Sequence, residues 1–100
     1  MCDRTLVMTN VLFQKIKEWD FFTHRTGDGR LYWDGIECGI DQPVFISMVN
    51  AIVAAWNAKG ITGMDDFEKT QKMTPEMVQH MVYREIDSYL CKLLGVIKSN

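Results

Sequence analysis

The stretch DQPVFISMVNAIVAAWNAKG, residues 41–60, decides the fold that we predict for this chain of 100 residues. Asp41 can accept hydrogen bonds from the free N–H groups of a first helical turn, and Pro43 suits that turn because its missing N–H is not needed there. Gly60 fits the left-handed position just after a helix, and Ile61 can then fold back onto the helix. These signals predict a helix between Asp41 and Gly60.

Apolar residues cover most of the circumference of this central helix. Its clearly polar residues are Ser47, Asn50, Asn57 and Lys59. A helix that is apolar on nearly every side belongs inside a protein, so we predict that its neighbours enclose it.

One narrow face of the central helix carries only small side chains, at Ser47, Ala51, Ala54, Ala55 and Ala58. Small side chains allow another backbone to approach closely, so we expect a second helix to cross here. That helix belongs either to the core of the same chain or to a second copy across a two-fold axis. Because so short a chain has little material with which to surround a helix, we expect a homodimer with this face as its interface.

Before the central helix, the sequence predicts one helix and a small sheet. Apolar residues at three- and four-residue steps indicate an N-terminal helix over residues 4–19, capped by Asp3 or, if shorter, by Thr9. Residues 20–40 then change to alternating, aromatic-rich segments that predict three antiparallel strands, at 21–25, 30–33 and 36–40. The turn signals between them, TGDG and Asp34-Gly35, favour tight connections. A sheet this small cannot stand alone, so it must lie against the central helix.

After the central helix, the sequence predicts a short helix over residues 64–72, with Phe67 pointing inward. Thr74 and Pro75 then mark the start of a long last helix that runs to about Ile97. The complete order is typical of an α+β, mostly α fold: N-terminal helix, small antiparallel β-meander, buried central helix, short helix, long C-terminal helix. We expect residues 1–100 to form a single globular domain.

The overall composition argues against two classes of partner. Hydrophobic residues make up 47% of the chain and charged residues 24%, with a formal net charge of −2. Residues 31–66 contain one lysine and five carboxylates, which gives this middle third a net charge of −4. Nucleic acids and anionic membranes favour a basic surface, so we expect neither as a partner.

The cysteines and the N-terminus indicate a cytosolic location. Cys2, Cys38 and Cys91 are odd in number, far apart and in no metal-type spacing, which favours reduced thiols. No secretory signal is recognisable near the N-terminus, and no apolar run reaches the length of about 20 residues that spans a bilayer. We therefore expect a soluble, cytoplasmic protein.

The sequence offers little for catalysis, and we predict that the protein is not an enzyme and binds no metal or cofactor. No known nucleophile, metalloprotease or phosphate-loop motif is present. Cys38 with His24 is conceivable as a nucleophile and base if their strands pair, but no third orienting group is evident. The last helix aligns a polar stripe, which we interpret as a solvated charged face: Glu76, His80, Arg84, Asp87 and Cys91.

The meander carries the best candidate for a recognition surface. Its residues are Arg25, Arg30, Tyr32, Trp33, Asp34 and Glu37. If Trp33 packs inward, Tyr32 and the arginines point outward, and tyrosine and arginine dominate binding energy at protein interfaces. The alternative interpretation is an ordinary solvated hairpin.

We interpret the chain as a small cytosolic, non-catalytic protein-binding module that acts as an inhibitor or regulatory adaptor. Its small size and acidic balance suggest the sort of inhibitor or adaptor that phages and mobile elements encode. One alternative is an oligomeric binder of a small anionic or nucleotide-like ligand, held between an arginine and an aromatic face. An enzyme of unrecognised type is a further alternative.

Overall fold

The computed structural model describes residues 4–24, 27, 29–33 and 39–95, with side chains from residue 7 onward. Its elements are, in chain order, α1 (Arg4–Trp19), β1 (Phe22–His24), β2 (Leu31–Trp33), β3 (Gly39–Ile40), α2 (Gln42–Ala58), α3 (Asp66–Lys69) and α4 (Pro75–Leu94). The predicted α+β, mostly α fold is confirmed. Within these ranges, no helix combines the length and the apolar character needed to cross a bilayer. The chain divides into two compact units, Met1–Met64 and Asp65–Asn100, and the single domain stays a prediction.

Side-chain caps begin α2 and α4 at the residues that the sequence predicts. Oδ1 of Asp41 accepts a hydrogen bond from the backbone N–H of Val44 at 3.3 Å. Oγ1 of Thr74 accepts one from the backbone N–H of Met77 at 3.2 Å. Each bond satisfies a donor that a helix start otherwise leaves without a partner, which fixes where the helix begins.

Left-handed glycines end the same two helices. After α2, Gly60 has a φ of +89°. Its N–H donates to the carbonyl oxygen of Asn57, and the N–H of Ile61 donates to that of Trp56, each at 3.0 Å. This pair of bonds is a Schellman motif, which turns the chain away from the helix axis. Gly95, with a φ of +69°, ends α4.

The three strands form an antiparallel sheet in the order β1-β2-β3. The Cα partners are Phe22 with Trp33, Thr23 with Tyr32, His24 with Leu31, Leu31 with Ile40, and Tyr32 with Gly39. Strands β1 and β2 each begin one residue later than predicted, at Phe22 and Leu31. The first connection is longer than the predicted TGDG turn, because the last pair in the register is His24 with Leu31, which leaves residues 25–30 between the strands. The second predicted turn, Asp34-Gly35, lies outside the described residues.

Aromatic rings join the sheet to both helices of the first unit. The ring centroid of Phe45 on α2 lies 5.2 Å from that of Phe13 on α1 and 5.5 Å from that of Phe22 on β1. The Phe22 ring in turn lies 5.0 Å from the Trp33 ring on β2. Tilted and edge-on pairs at such distances attract each other beyond the effect of burial. The sheet therefore lies against the central helix, as predicted.

The central helix supplies the largest share of the buried side chains in the first unit. Those of α2 are Phe45, Met48, Val49, Ile52, Val53 and Trp56. The other buried apolar side chains there are Met8, Leu12, Ile16, Phe22, Trp33, Ile40 and Met64. Each such side chain contributes about 1.5–3 kcal/mol through its removal from water.

Helix α2 is buried along one side, as the sequence predicts, and its opposite side is exposed. Ile46 is 40% exposed. The small-residue face is exposed at every position: Ser47, Ala51, Ala54, Ala55 and Ala58. Apolar character measures how readily a side chain leaves water, but burial also needs another element to cover it. The described chain covers one side of this helix.

The second unit contains α3 and α4. Helix α3 is shorter than the predicted range 64–72, and Phe67 on it is buried, as predicted. The N–H of Met73 donates to the carbonyl oxygen of Phe67 at 2.9 Å, which ties down the connection to α4. Every fourth residue of α4 is buried along one line: Val78, Val82, Ile86 and Leu90. The helix ends at Leu94, before the predicted end at Ile97, because Gly95 adopts the left-handed conformation.

We expect Phe45→Ala to lower the free energy of unfolding by about 3–5 kcal/mol, because the ring fills the space between α1 and β1. Urea denaturation followed by circular dichroism measures this loss. Ile46→Ala is the matched control, since the neighbouring side chain is 40% exposed. Its loss should stay below about 1 kcal/mol. Equal losses for the two variants would contradict the role of the aromatic junction.

Candidate functional site

The outer face of the sheet presents one row of positions that crosses all three strands. Thr23 pairs with Tyr32, and Tyr32 pairs with Gly39. Side chains alternate along a strand, so Tyr32 points away from the face that carries Trp33. Thr23 is exposed and Tyr32 is half-buried. The Thr23 hydroxyl donates to the Tyr32 carbonyl oxygen at 3.4 Å, which holds the edge strand to the middle one.

Two predicted site residues, Arg30 and Tyr32, pack closely over the backbone of Gly39. A methyl group placed on its Cα would lie 2.8 Å from Cδ of Arg30 and 2.9 Å from Cζ of Tyr32. Both side chains therefore bend over the same strand position, where only glycine leaves enough space. A glycine within a strand commonly marks such a close approach. The result is an aromatic ring and the stem of a guanidinium side chain held side by side on the sheet.

Trp33 lies beneath this surface and not in it. Its side chain is 2% exposed. Its ring lies 5.0 Å from Phe22 and 6.1 Å from Phe21, measured between centroids. Trp33 therefore anchors β2 from the inner face. Since a slip of one residue would exchange the two faces of the strand, this anchor also fixes Tyr32 on the outside.

The structure brings together some of the predicted partner-binding residues. Arg30, which is exposed, and Tyr32 share the outer face, with Trp33 behind them. The other predicted residues, Arg25, Asp34 and Glu37, lie outside the described residues. Gly39 and Thr23 were not predicted as part of the surface. Their place becomes visible only from the strand register.

The exposed face of α2 forms a second surface, in the same unit. Its five small residues, which the sequence predicts either to pack in the core of the chain or to form a dimer interface, are all exposed. No residue from Gln42 to Ala58 is charged, so this face is neutral and carries only small side chains at these five positions. Steps of four residues between Ser47, Ala51 and Ala55 align small side chains along the helix.

The polar stripe of α4 borders a groove of about 770 Å³. The described residues that line it are Met73, Glu76, Met77, His80, Met81, Arg84, Glu85 and Ser88. Of the predicted stripe, Glu76, His80 and Arg84 are exposed and line the groove, whereas Asp87 and Cys91 are half-buried and do not line it. The methionines are the unexpected part. Met81 lies half-buried at the groove.

The described residues do not assemble a recognisable metal site. No group of three or more histidine, cysteine, aspartate or glutamate side chains in these ranges is placed to hold an ion. His24 is exposed on β1. Cys38, the conceivable nucleophile for which His24 would act as the base, lies outside the described residues. The Cys91 thiol is free.

No protein-family model matches this chain, and neither a curated protein nor a solved structure shows significant similarity to it.

We expect Gly39→Ala to displace the Tyr32 ring and the Arg30 stem while the protein remains folded, because both obstructing groups are flexible side chains and not backbone. Nuclear Overhauser effects between the Gly39 Hα and the Tyr32 ring protons should be present in the parent protein. The amide spectrum of Gly39→Ala should change mainly around β2 and β3.

Gly63→Ala is the matched control, because a methyl group there meets nothing within 4 Å. It should leave the Tyr32 signals unchanged. Tyr32 signals that are identical in Gly39→Ala and in the parent would contradict the close approach.

Proposed function

We propose that this protein is a small cytosolic, non-catalytic protein-binding module that acts as an inhibitor or regulatory adaptor. It contacts its protein partner with the outer face of the sheet. The observation that carries this proposal is the convergence of Arg30 and Tyr32 over Gly39.

This arrangement suits protein recognition for two physical reasons. Tyrosine offers a large, rigid contact area with a polar tip, and arginine offers several hydrogen-bond donors, which is why both types are enriched among residues that dominate interface energies. The ring already rests on the sheet, and Trp33 locks the strand from behind. Less conformational entropy is therefore lost on binding than if two mobile side chains had to be ordered.

The decisive variant replaces both side chains. We expect Arg30→Ala with Tyr32→Ala to abolish capture of the partner while the circular dichroism spectrum and the unfolding midpoint change little. A pull-down with tagged protein from a lysate of the native host, read by mass spectrometry, compares the captured proteins. Loss of one such residue commonly costs 2 kcal/mol or more, about 30-fold in affinity.

The matched control is Gln14→Ala with Lys17→Ala, which removes two exposed side chains of α1 in the same unit. It should capture the same partner as the parent. Capture that persists in the Arg30/Tyr32 variant would exclude this surface.

A second candidate is a binder of a small anionic or nucleotide-like ligand. It rests on the same juxtaposition, because a guanidinium beside an aromatic ring can pair with an anion while the ring stacks on a flat group. A thermal-shift screen of nucleotides separates the two functions, since a ligand at 100 times its Kd should stabilise the protein by about 2.7 kcal/mol. Stabilisation that Arg30→Ala removes would favour the ligand over the protein partner.

We also propose that the protein is a homodimer with the small-residue face of α2 as an interface. The support is a neutral helix face with no bulky side chain at these five positions, flanked by a 40% exposed Ile46. Small side chains on one helix allow the axis of another to come near it.

We expect Ala54→Glu to reduce self-association, because a long charged side chain would hold the second helix away. The mean molar mass, measured by light scattering after size-exclusion chromatography, should fall by half. Gln14→Glu places the same charge on the exposed side of α1 and should leave the mass unchanged. An unchanged mass in Ala54→Glu would refute this interface.

A further inference from the structure

The exposed side of α4 carries the groove that the proposed function does not use. The described lining residues all belong to the second unit, between Met73 and Ser88. The buried line of the same helix, from Val78 to Leu90, points in a different direction because it occupies other positions of the helical repeat. The groove face is therefore a surface of α4 that its own unit does not need for its core.

Three methionines form the apolar part of this face. Met73, Met77 and Met81 follow each other at steps of four residues, and Met77 is 51% exposed. A flexible thioether side chain adapts to an irregular neighbour, and methionine is over-used at surfaces that bind other helices. Met73 and Met81 are half-buried, and a partly exposed apolar line with a polar border is typical of a contact surface.

Three of the four titratable side chains that line the groove, all but Glu85, have an order along the helix. Glu76 lies one turn before His80, and Arg84 lies one turn after it, so acid and base are equally spaced about a central residue. All three side chains are exposed. This spacing decides which kind of helix the face can accept.

A second copy of α4 complements this order only when it runs antiparallel. With a two-fold axis beside His80, Arg84 of the second copy lies beside Glu76, and Glu76 of the second copy lies beside Arg84. Met77 then lies within one helical turn of Met81 of the second copy, because two residues of offset amount to about 3 Å. A parallel copy would instead place Glu76 beside Glu76 and Arg84 beside Arg84, where like charges repel.

We infer that the groove face of α4 binds the same face of a second copy of this chain, antiparallel and across a two-fold axis beside His80. Helix α4 of the second copy matches the groove face in length because it is the same segment of the chain. This interface is isologous, so each dimer contains both Glu76–Arg84 contacts. It is separate from the α2 interface and does not depend on it.

Charge exchange tests the inference with the full chain. Glu76→Arg and Arg84→Glu should each weaken self-association by about tenfold, because both symmetry-related contacts become repulsive. Light scattering over a concentration series should show that the mean molar mass falls to half at about tenfold higher protein concentration in either variant than in the parent. The double variant Glu76→Arg with Arg84→Glu should recover the parent mass.

An equimolar mixture of the two single variants should also recover that mass. One copy then carries only positive side chains at both positions and the other only negative ones, so mixed dimers regain both contacts. This recovery requires an antiparallel pairing of α4 with α4. No loss of helix stability in a single variant can produce it.

Lys92→Glu is the matched control, since it reverses an exposed charge on α4 beyond the lining residues. It should leave the mass unchanged. Parent protein that shows no self-association, single variants with the parent mass, or a double variant and mixture that stay dissociated would each overturn the inference. Ala54→Glu and the Arg30/Tyr32 variant test other surfaces, so the proposed function can fail or succeed independently.

Discussion

The aromatic junction is the interaction on which the first unit depends. Phe45 lies between Phe13 and Phe22, and Phe22 lies against Trp33, so one continuous set of rings connects two helices and the sheet. A sheet whose strands are only two or three residues long is not stable by itself. Its register is held by what packs on its inner face, and the same register determines which side chains point outward.

The helix ends could be predicted from the sequence because their causes are local. A cap at Asp41 or Thr74 needs only a side-chain oxygen and a backbone N–H three residues away. A Schellman motif at Gly60 needs only a residue that tolerates a positive φ. The exposure of α2 could not be predicted in this way, since it depends on how many other elements are present to cover the helix.

The candidate site was predictable by residue type and not by geometry. Arg30 and Tyr32 stand out because their chemistry suits interfaces, but Gly39 acquires its role only from the pairing across β2 and β3. The strand lengths and the length of the connection between His24 and Leu31 set that pairing. Met81 shows the same limit on a helix. On α4, apolar residues four positions apart form one line from Val78 and another from Met77. The sequence alone does not show which of these two lines is buried.

The outer face of the sheet, the small-residue face of α2 and the groove face of α4 differ in chemical character. The sheet offers a ring and a guanidinium side chain over a glycine, α2 offers neutral small side chains, and α4 offers thioethers bordered by ordered charge. The first two surfaces belong to the first unit and the third belongs to the second unit.

The lack of charge on α2 has a consequence for how the two helix faces respond to dissolved ions. No side chain from Gln42 to Ala58 is charged, so dissolved ions have no charge attraction to screen on this helix. The Debye length falls from about 30 Å to about 3 Å between 0.01 and 1 M ionic strength. Of the two helix faces, only the groove face of α4 has charged side chains whose attraction this screening weakens. Concentrated sodium chloride should therefore weaken the proposed α4 pairing more than the proposed α2 interface, so a titration with salt distinguishes these two interfaces without a single substitution.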